Sequence, residues 1–316
     1  MKPRTVANVA GRRVACAPYG QSQDTAPRVS FRAMRFASVL HEGAPLAVLI
    51  DGNEAVPLRG ISELGPATPS SLLRDPPLEP DSAMPLSQVR RRAVVPRPGK
   101  VICVGLNYAA HIKETKREHS DYPVLFTKFP TTLTGPHDDI PLPPESEAID
   151  YEGEITVVIG ERARRVPRER ALEHVAGYTI ANDVSMRDYQ YRTHQWLQGK
   201  AWDASTPVGP DLVTLDEAPG PLTLRTFVNG TQVQEASTEL LIFDVATLVS
   251  VISEFTTLEP GDLILTGTPG GVGYRREPRL LLGDGDVVVV EVDGVGRIEN
   301  RCVVDQTSAA STAAAN

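Results

Sequence analysis

Cysteine is scarce. Cys16, Cys103 and Cys302 are the three in a chain of 316 residues. Their odd number and wide spacing exclude a disulfide framework and any Cys-x-x-Cys metal knuckle, and they fit a reducing cytoplasm. No apolar run approaches the ~18 residues that a membrane span needs. Positive charge is in deficit, with 32 Lys and Arg against 40 Asp and Glu and a formal net charge of -8. That balance argues against nucleic acid or an anionic membrane as partner. A small anionic substrate would need a local positive centre, a metal or a buried lysine.

Several catalytic signatures are missing too. There is no Gly-x-Ser-x-Gly elbow and no His-Glu-x-x-His helix. The glycine run Thr266–Gly273 (TGTPGGVG) is followed by Tyr274, so it lacks the Gly-Lys-Ser/Thr ending of a phosphate loop. No opening strand–helix–strand unit supports a dinucleotide loop. His119, Ser120 and Asp121 are adjacent, and neighbours in sequence cannot adopt triad geometry.

What is present is ordinary globular material, 41% hydrophobic and 23% charged, enough for a sizeable core. Residues 1–33 contain arginines and no apolar core, so they are not a secretory signal. They read as a disordered extension ahead of an internal start at Met34, and the Ser-, Thr- and Ala-rich tail 305–316 as disordered also. Between them, 34–95 reads as a small N-terminal domain and linker, and 96–304 as the catalytic domain.

Leu46–Ile50, Asp51-Gly52 and Glu54–Leu58 predict a hairpin, and Leu224–Val228, Asn229-Gly230 and Thr231–Gln234 a second. The proline-rich stretch from Pro66 to Lys100 predicts a linker. Strands are expected at Lys100–Leu106, Tyr151–Gly160, Tyr178–Asp183, Asp262–Thr266, Val287–Val292 and Arg297–Val303, with a turn at Asp293-Gly294. Helices are expected from Asn107 to about Glu118, over Pro167–Val175 with Gly177 as terminator, and over Asp244–Phe255.

Glu152 and Glu154 are two apart in an expected strand, so both point to one face. Two carboxylates there repel unless a cation lies between them, and Asp183, ending the next strand, can complete a three-oxygen site. Hard oxygen ligands suit Mg²⁺ or Mn²⁺, or Ca²⁺, rather than zinc. His111 and Glu114 share a helical face, where the carboxylate fixes the imidazole tautomer and favours its protonated form. Taken alone, Lys200 reads as an exposed loop lysine, Gln190 as a surface glutamine, and Arg162, Arg164, Arg165, Arg168 and Arg170 as a solvated face. Trp196 and Trp202 flank Lys200 as candidate pocket walls or as core.

The segments GLNYAAHIKE, NDVSMRDYQ, RTHQWLQGKAWD, TPVGP and LTGTPGGVG, together with the Glu-x-Glu strand, resemble the fumarylacetoacetate hydrolase family, in its acylpyruvase and 2-hydroxyhepta-2,4-diene-1,7-dioate isomerase-like branch. The likeness spans roughly Met34 to Val303 and is strongest from Lys100. It implies an α+β, mostly β fold of mixed sheets rolled into a barrel-like sandwich, and a homodimer. It implies that Glu152, Glu154 and Asp183 hold Mg²⁺ or Mn²⁺. Catalytic roles fall on His111, Glu114, Lys200 and Gln190, and substrate contacts on Asn107, Tyr108, Arg187, Asp203, Gly267 and Thr268. Asp203 is expected to hold Lys200, and Thr268 to bind a substrate carboxylate. The implied reaction is carbon–carbon hydrolysis of a 2,4-dioxo acid, with His111–Glu114 activating water and an enolate leaving at the metal. Decarboxylation, isomerisation or dehydration of a related 2-oxo acid is the alternative on the same site. A binding protein without turnover is a second, which the intact His111 and Glu114 oppose.

Overall fold

The computed structural model describes residues 34–115, 118 and 120–305. The expected disorder of 1–33 and of the tail beyond Asp305 lies outside the described residues, as does His119. The described residues fall within one compact unit.

The fold is α+β and mostly β. A 12-stranded sheet carries the strand Gly153–Ile159 near its middle. That strand pairs antiparallel with Val175–Asn182 on one side and Leu263–Leu265 on the other. Leu263–Leu265 runs parallel to Val101–Gly105, which makes the sheet mixed. Beyond Val175–Asn182 comes Thr206–Thr214, and then Arg35–His41, so residues 34–95 share this sheet. The strand order has two free ends, so the roll does not close into a barrel.

A second sheet has five strands, among them Thr223–Val228, Thr231–Ser237, Val287–Val292 and Gly296–Val304. The two sheets meet over Ile155, Ile180 and Val213 from the first and Leu224, Val290, Val292 and Ile298 from the second. On another part of the large sheet the helix Val245–Phe255 buries Val245, Leu248, Val249 and Ile252 against Val157, Ile159 and Ile264. Gly153–Ile159 is therefore buried along its whole length, as a strand covered on both faces must be.

Both expected hairpins form, with Gly52 and Gly230 at positive φ. The linker contains structure: a short helix Ser70–Arg74, and two-residue strands Met84–Pro85 and Arg90–Arg91 paired into the large sheet. The helix expected over Pro167–Val175 is a 3-10 helix, Arg168–His174. Gly177 does not terminate it. It lies inside the following strand, where an added Cβ would meet Val213 O at 1.9 Å. The strands Val124–Lys128 and Thr206–Thr214 escaped the sequence reading, because neither shows clear alternation. Among the described residues no helix is long and apolar enough to cross a membrane.

Candidate active site

Glu152 does not lie in the strand as expected. It immediately precedes Gly153–Ile159, and Glu154 is the second residue inside it. The antiparallel register sets Gly153 opposite Asn182. The ladder continues one step further, since Asp183 N donates to Glu152 O at 2.8 Å and Glu152 N to Asn182 Oδ1 at 3.0 Å. Asp183 is thereby delivered beside the Glu-x-Glu pair. One carboxylate oxygen from each of Glu152, Glu154 and Asp183 lies within 4.8 Å of the others, and all three residues are buried.

Glycine between the glutamates is a packing requirement. A Cβ on Gly153 would meet Thr226 Oγ1 at 2.2 Å and Val290 Cγ1 at 3.0 Å, both on the second sheet. Gly267 is the other obligatory glycine. It has φ +102, a Cβ there would meet Val104 O at 2.8 Å, and its N–H donates to Glu154 Oε2 at 2.7 Å.

Three buried cations surround the carboxylates. Lys200 Nζ donates to Glu152 Oε2 at 2.6 Å and to Asp183 Oδ2 at 2.8 Å. Lys128 Nζ donates to Asp183 Oδ1 at 2.7 Å and to Val184 O at 3.2 Å. Arg187 Nη1 lies 2.6 Å from Glu152 Oε1, and its Nε donates to Asp150 Oδ2 at 2.8 Å. Burial alone would raise Glu152, yet Lys200 and Arg187 hold it at about 2. Glu154 has no such partner. Burial, with Asp183 and Glu152 beside it, pushes its carboxyl well above the usual range. The donor set fits a hard divalent cation: three converging carboxylates, each with an oxygen fixed by Gly267 N–H, Lys128 or Arg187, and one carboxyl still to be neutralised.

One pocket brings together Glu152, His111, Lys200, Gln190, Arg187 and Thr268. Gln190 is buried, and its Oε1 accepts from Arg187 Nη1 at 2.9 Å, so its NH₂ is the end left to donate. His111 Nδ1 lies 2.7 Å from Glu114 Oε1, and Glu114 Oε2 accepts from Gly271 N at 2.8 Å. The dyad on the short helix Ala109–Thr115 is thus latched to the glycine loop. Trp196 walls the pocket edge-on to Phe126. Trp202 packs on Tyr189 and lines a separate cleft.

Asp203, Asn107, Tyr108 and Thr268 are placed differently from the substrate contacts expected of them. Asp203 is exposed and lines the cleft beside Trp202, while Lys200 pairs with Glu152 and Asp183. Lys200 itself is buried rather than an exposed loop lysine. Asn107 is committed to the main chain: Nδ2 donates to Phe243 O and Thr266 O, and Oδ1 accepts from Phe243 N. Tyr108 is buried in the core. Thr268 lines the pocket, but its hydroxyl donates to Gly153 O at 3.0 Å and accepts from Gln234 Nε2 at 2.8 Å. A hydroxyl has one proton to give, and here Thr268 Oγ1 gives it to Gly153 O. Sequence reasoning missed Lys128, Asp150 and Gln234. The flanking FTK and QVQEA segments carry no local mark that these polar side chains turn inward. The arginine run is a solvated face, pairing with Glu259, Asp244 and Glu173.

The profile described as fumarylacetoacetate (FAA) hydrolase C-terminal matches residues 100–303. This chain belongs to the fumarylacetoacetate hydrolase family. The matched segment contains the triad, the dyad and all three buried cations of the site. Among relatives of this fumarylacetoacetate hydrolase family chain, the human protein named oxaloacetate tautomerase FAHD2A, mitochondrial, is 44% identical over 224 residues, 70% of this chain and 71% of that one. Two solved structures resemble the fold closely. The 5-carboxymethyl-2-hydroxymuconate delta-isomerase from Mycobacterium smegmatis gives a TM-score of 0.74 at 36% identity, over 86% of this chain and all (100%) of that one. The 2-hydroxyhepta-2,4-diene-1,7-dioate isomerase from Mycobacterium marinum gives 0.74 at 35%, over 87% and 100%.

Proposed function

We propose that this chain is a divalent-metal-dependent tautomerase or isomerase of a 2-oxo acid, moving a proton between carbon and oxygen. The observation that carries it is His111, held by Glu114, lining the same pocket as Glu152 of the buried carboxylate triad. The names of the human relative and of the two isomerase structures support that class, and oxaloacetate is the first substrate to test.

Glu152, Glu154 and Asp183 would hold the cation, which when bound supplies a Lewis acid for the 2-oxo carbonyl. The proton belongs to the side chains. Nδ1 of His111 is engaged by Glu114, so Nε2 is the nitrogen left to take a proton from carbon and pass it to the enolate oxygen, or to carry it in the reverse direction. Glu114 favours the imidazolium in between. Lys200 has three N–H donors, two of them engaged, and Gln190, whose Oε1 is taken by Arg187, lines the same pocket with its NH₂ left to donate. Both stabilise negative charge that develops on the substrate oxygen. The pocket's free volume is about 30 Å³, room for only one or two waters. A substrate therefore enters only if the Ala109–Thr115 helix or its neighbours shift.

Carbon–carbon hydrolysis of an acylpyruvate is the second reading, favoured by that water-sized space beside His111. A panel with Mg²⁺ or Mn²⁺ separates them: enol-oxaloacetate ketonisation and acylpyruvate cleavage measured on one preparation. Faster ketonisation is expected; efficient cleavage with no effect on ketonisation sinks the tautomerase reading. A reducing, cytoplasmic setting belongs to the proposal, although the human relative is named a mitochondrial protein; localisation of the tagged chain checks it. So does a homodimer, for which sedimentation should give twice the chain mass.

A further inference from the structure

Glu152 of the triad lines the pocket together with Lys200 and His111. The same pocket is also lined by Gln190, Tyr191, Tyr274 and Arg275. Arg275 is exposed to solvent. Its Nη2 donates to Tyr191 Oη at 3.2 Å, and its guanidinium carbon lies 5.6 Å from the ring centroids of both Tyr191 and Tyr274. Those two rings are 5.6 Å apart. Among the described residues it forms no ion pair with a carboxylate. The neighbouring arginines differ. Arg276 donates to Gly271 O, Val233 O and Tyr151 Oη, so it is a structural tie. Arg279 lies 4.1 Å over the Tyr274 ring but does not line the pocket. Arg275 is the arginine of this turn held at the pocket with its charge unanswered.

We propose that Arg275 is a specificity-determining residue that pairs with the distal carboxylate of a dianionic 2-oxo acid, so that the site selects dicarboxylates over monocarboxylates. This rests on the reading above, in which the substrate's first carboxylate and 2-oxo group lie at the triad. The charge of the site agrees. Glu152, Glu154, Asp183 and Asp150 face Lys128, Arg187 and Lys200, and a divalent cation would bring that set to one net positive charge, before Arg275 is added. The planar fork suits bidentate contact with a carboxylate, and two tyrosine rings limit its rotamers, which lowers the entropy lost on pairing.

Calorimetry with Mg²⁺ present tests it with two unreactive probes of equal chain length, 2-oxoglutarate and 2-oxopentanoate, which differ in the distal carboxylate. The wild type should bind 2-oxoglutarate tighter by about tenfold, the effect of one charge-assisted hydrogen bond at a partly exposed site. Arg275→Gln should remove that preference while leaving 2-oxopentanoate affinity and melting temperature unchanged, and Arg279→Gln should keep it. No preference in the wild type, a preference that survives Arg275→Gln, or one lost equally in Arg279→Gln overturns the assignment. Oxaloacetate ketonisation is measured separately. A dicarboxylate preference without turnover overturns the proposed reaction and leaves Arg275 in place; turnover without the preference does the reverse.

Discussion

Lys128 holds Asp183 Oδ1 on one side while Lys200 holds Oδ2 on the other, at 2.7 and 2.8 Å. Such partners behind a metal-ligating carboxylate orient it, and their loss typically costs 10–100-fold in affinity. Lys128→Met keeps the length and removes the charge, so Mn²⁺ affinity by calorimetry should fall by about 10–100-fold. Unchanged affinity would show that Lys128 only fills the core. The glutamate pair and the dyad were legible in sequence because each has a fixed local spacing, Glu-x-Glu and His-x-x-Glu, and Asp183 because it ends the next strand. Lys128 was not, because its partner Asp183 is 55 residues away and only the sheet brings them together. Asp203 misled for the opposite reason. It sits close to Lys200 in sequence, but the turn after Leu197–Lys200 carries it to the surface.

At the scale of elements, the glutamate strand is positioned by what packs across it. Gly153→Ala drives a methyl into Thr226 Oγ1 and Val290, an overpacking cost of about 1–3 kcal/mol. The melting temperature should drop, and Mn²⁺ affinity with it. Thr226 Oγ1 is buried with no hydrogen-bond partner, so the double variant with Thr226→Ala should recover part of both; no recovery would place the strain elsewhere. The helix Val245–Phe255 shows how local chemistry fixes an element. Asp244 accepts from Thr247 N at 2.8 Å and pairs with Arg168. Burial would raise its carboxyl, but Thr247 and Arg168 override that and lower it below 3.8. Asp244→Ala should cost about 1 kcal/mol near neutral pH. Because the folded state depresses this group, its contribution is present above 3.8 and is lost as pH falls through the folded value. Melting curves of the two proteins should converge in acid; a constant difference down to low pH would assign the cost to something other than the charge. The apolar spacing at Val245, Leu248, Val249 and Ile252 made this helix legible in advance. The paired Met84–Pro85 and Arg90–Arg91 strands were hidden in a proline-rich stretch, because two-residue strands leave no period to read.

For the whole molecule, the site exists only where the two sheets close on one another. Gln234 on the second sheet accepts from Gly153 N and donates to Thr268 Oγ1 and Pro269 O, so the glutamates and the glycine loop are tied from across the core. A cation bound by the triad stabilises only the folded chain. Saturating Mn²⁺ should therefore raise the melting temperature by a few degrees, and the rise should vanish in Glu154→Gln; an equal rise in the variant would place the ion elsewhere. The most direct measurement joins chemistry to binding in one variant. In His111→Ala the rate of enol-oxaloacetate ketonisation should fall by about 100-fold or more, the scale of general acid–base catalysis, while Mn²⁺ affinity stays at the wild-type value. Ketonisation that persists unchanged in His111→Ala, with the metal still bound, would contradict the assignment of the proton to the His111–Glu114 pair.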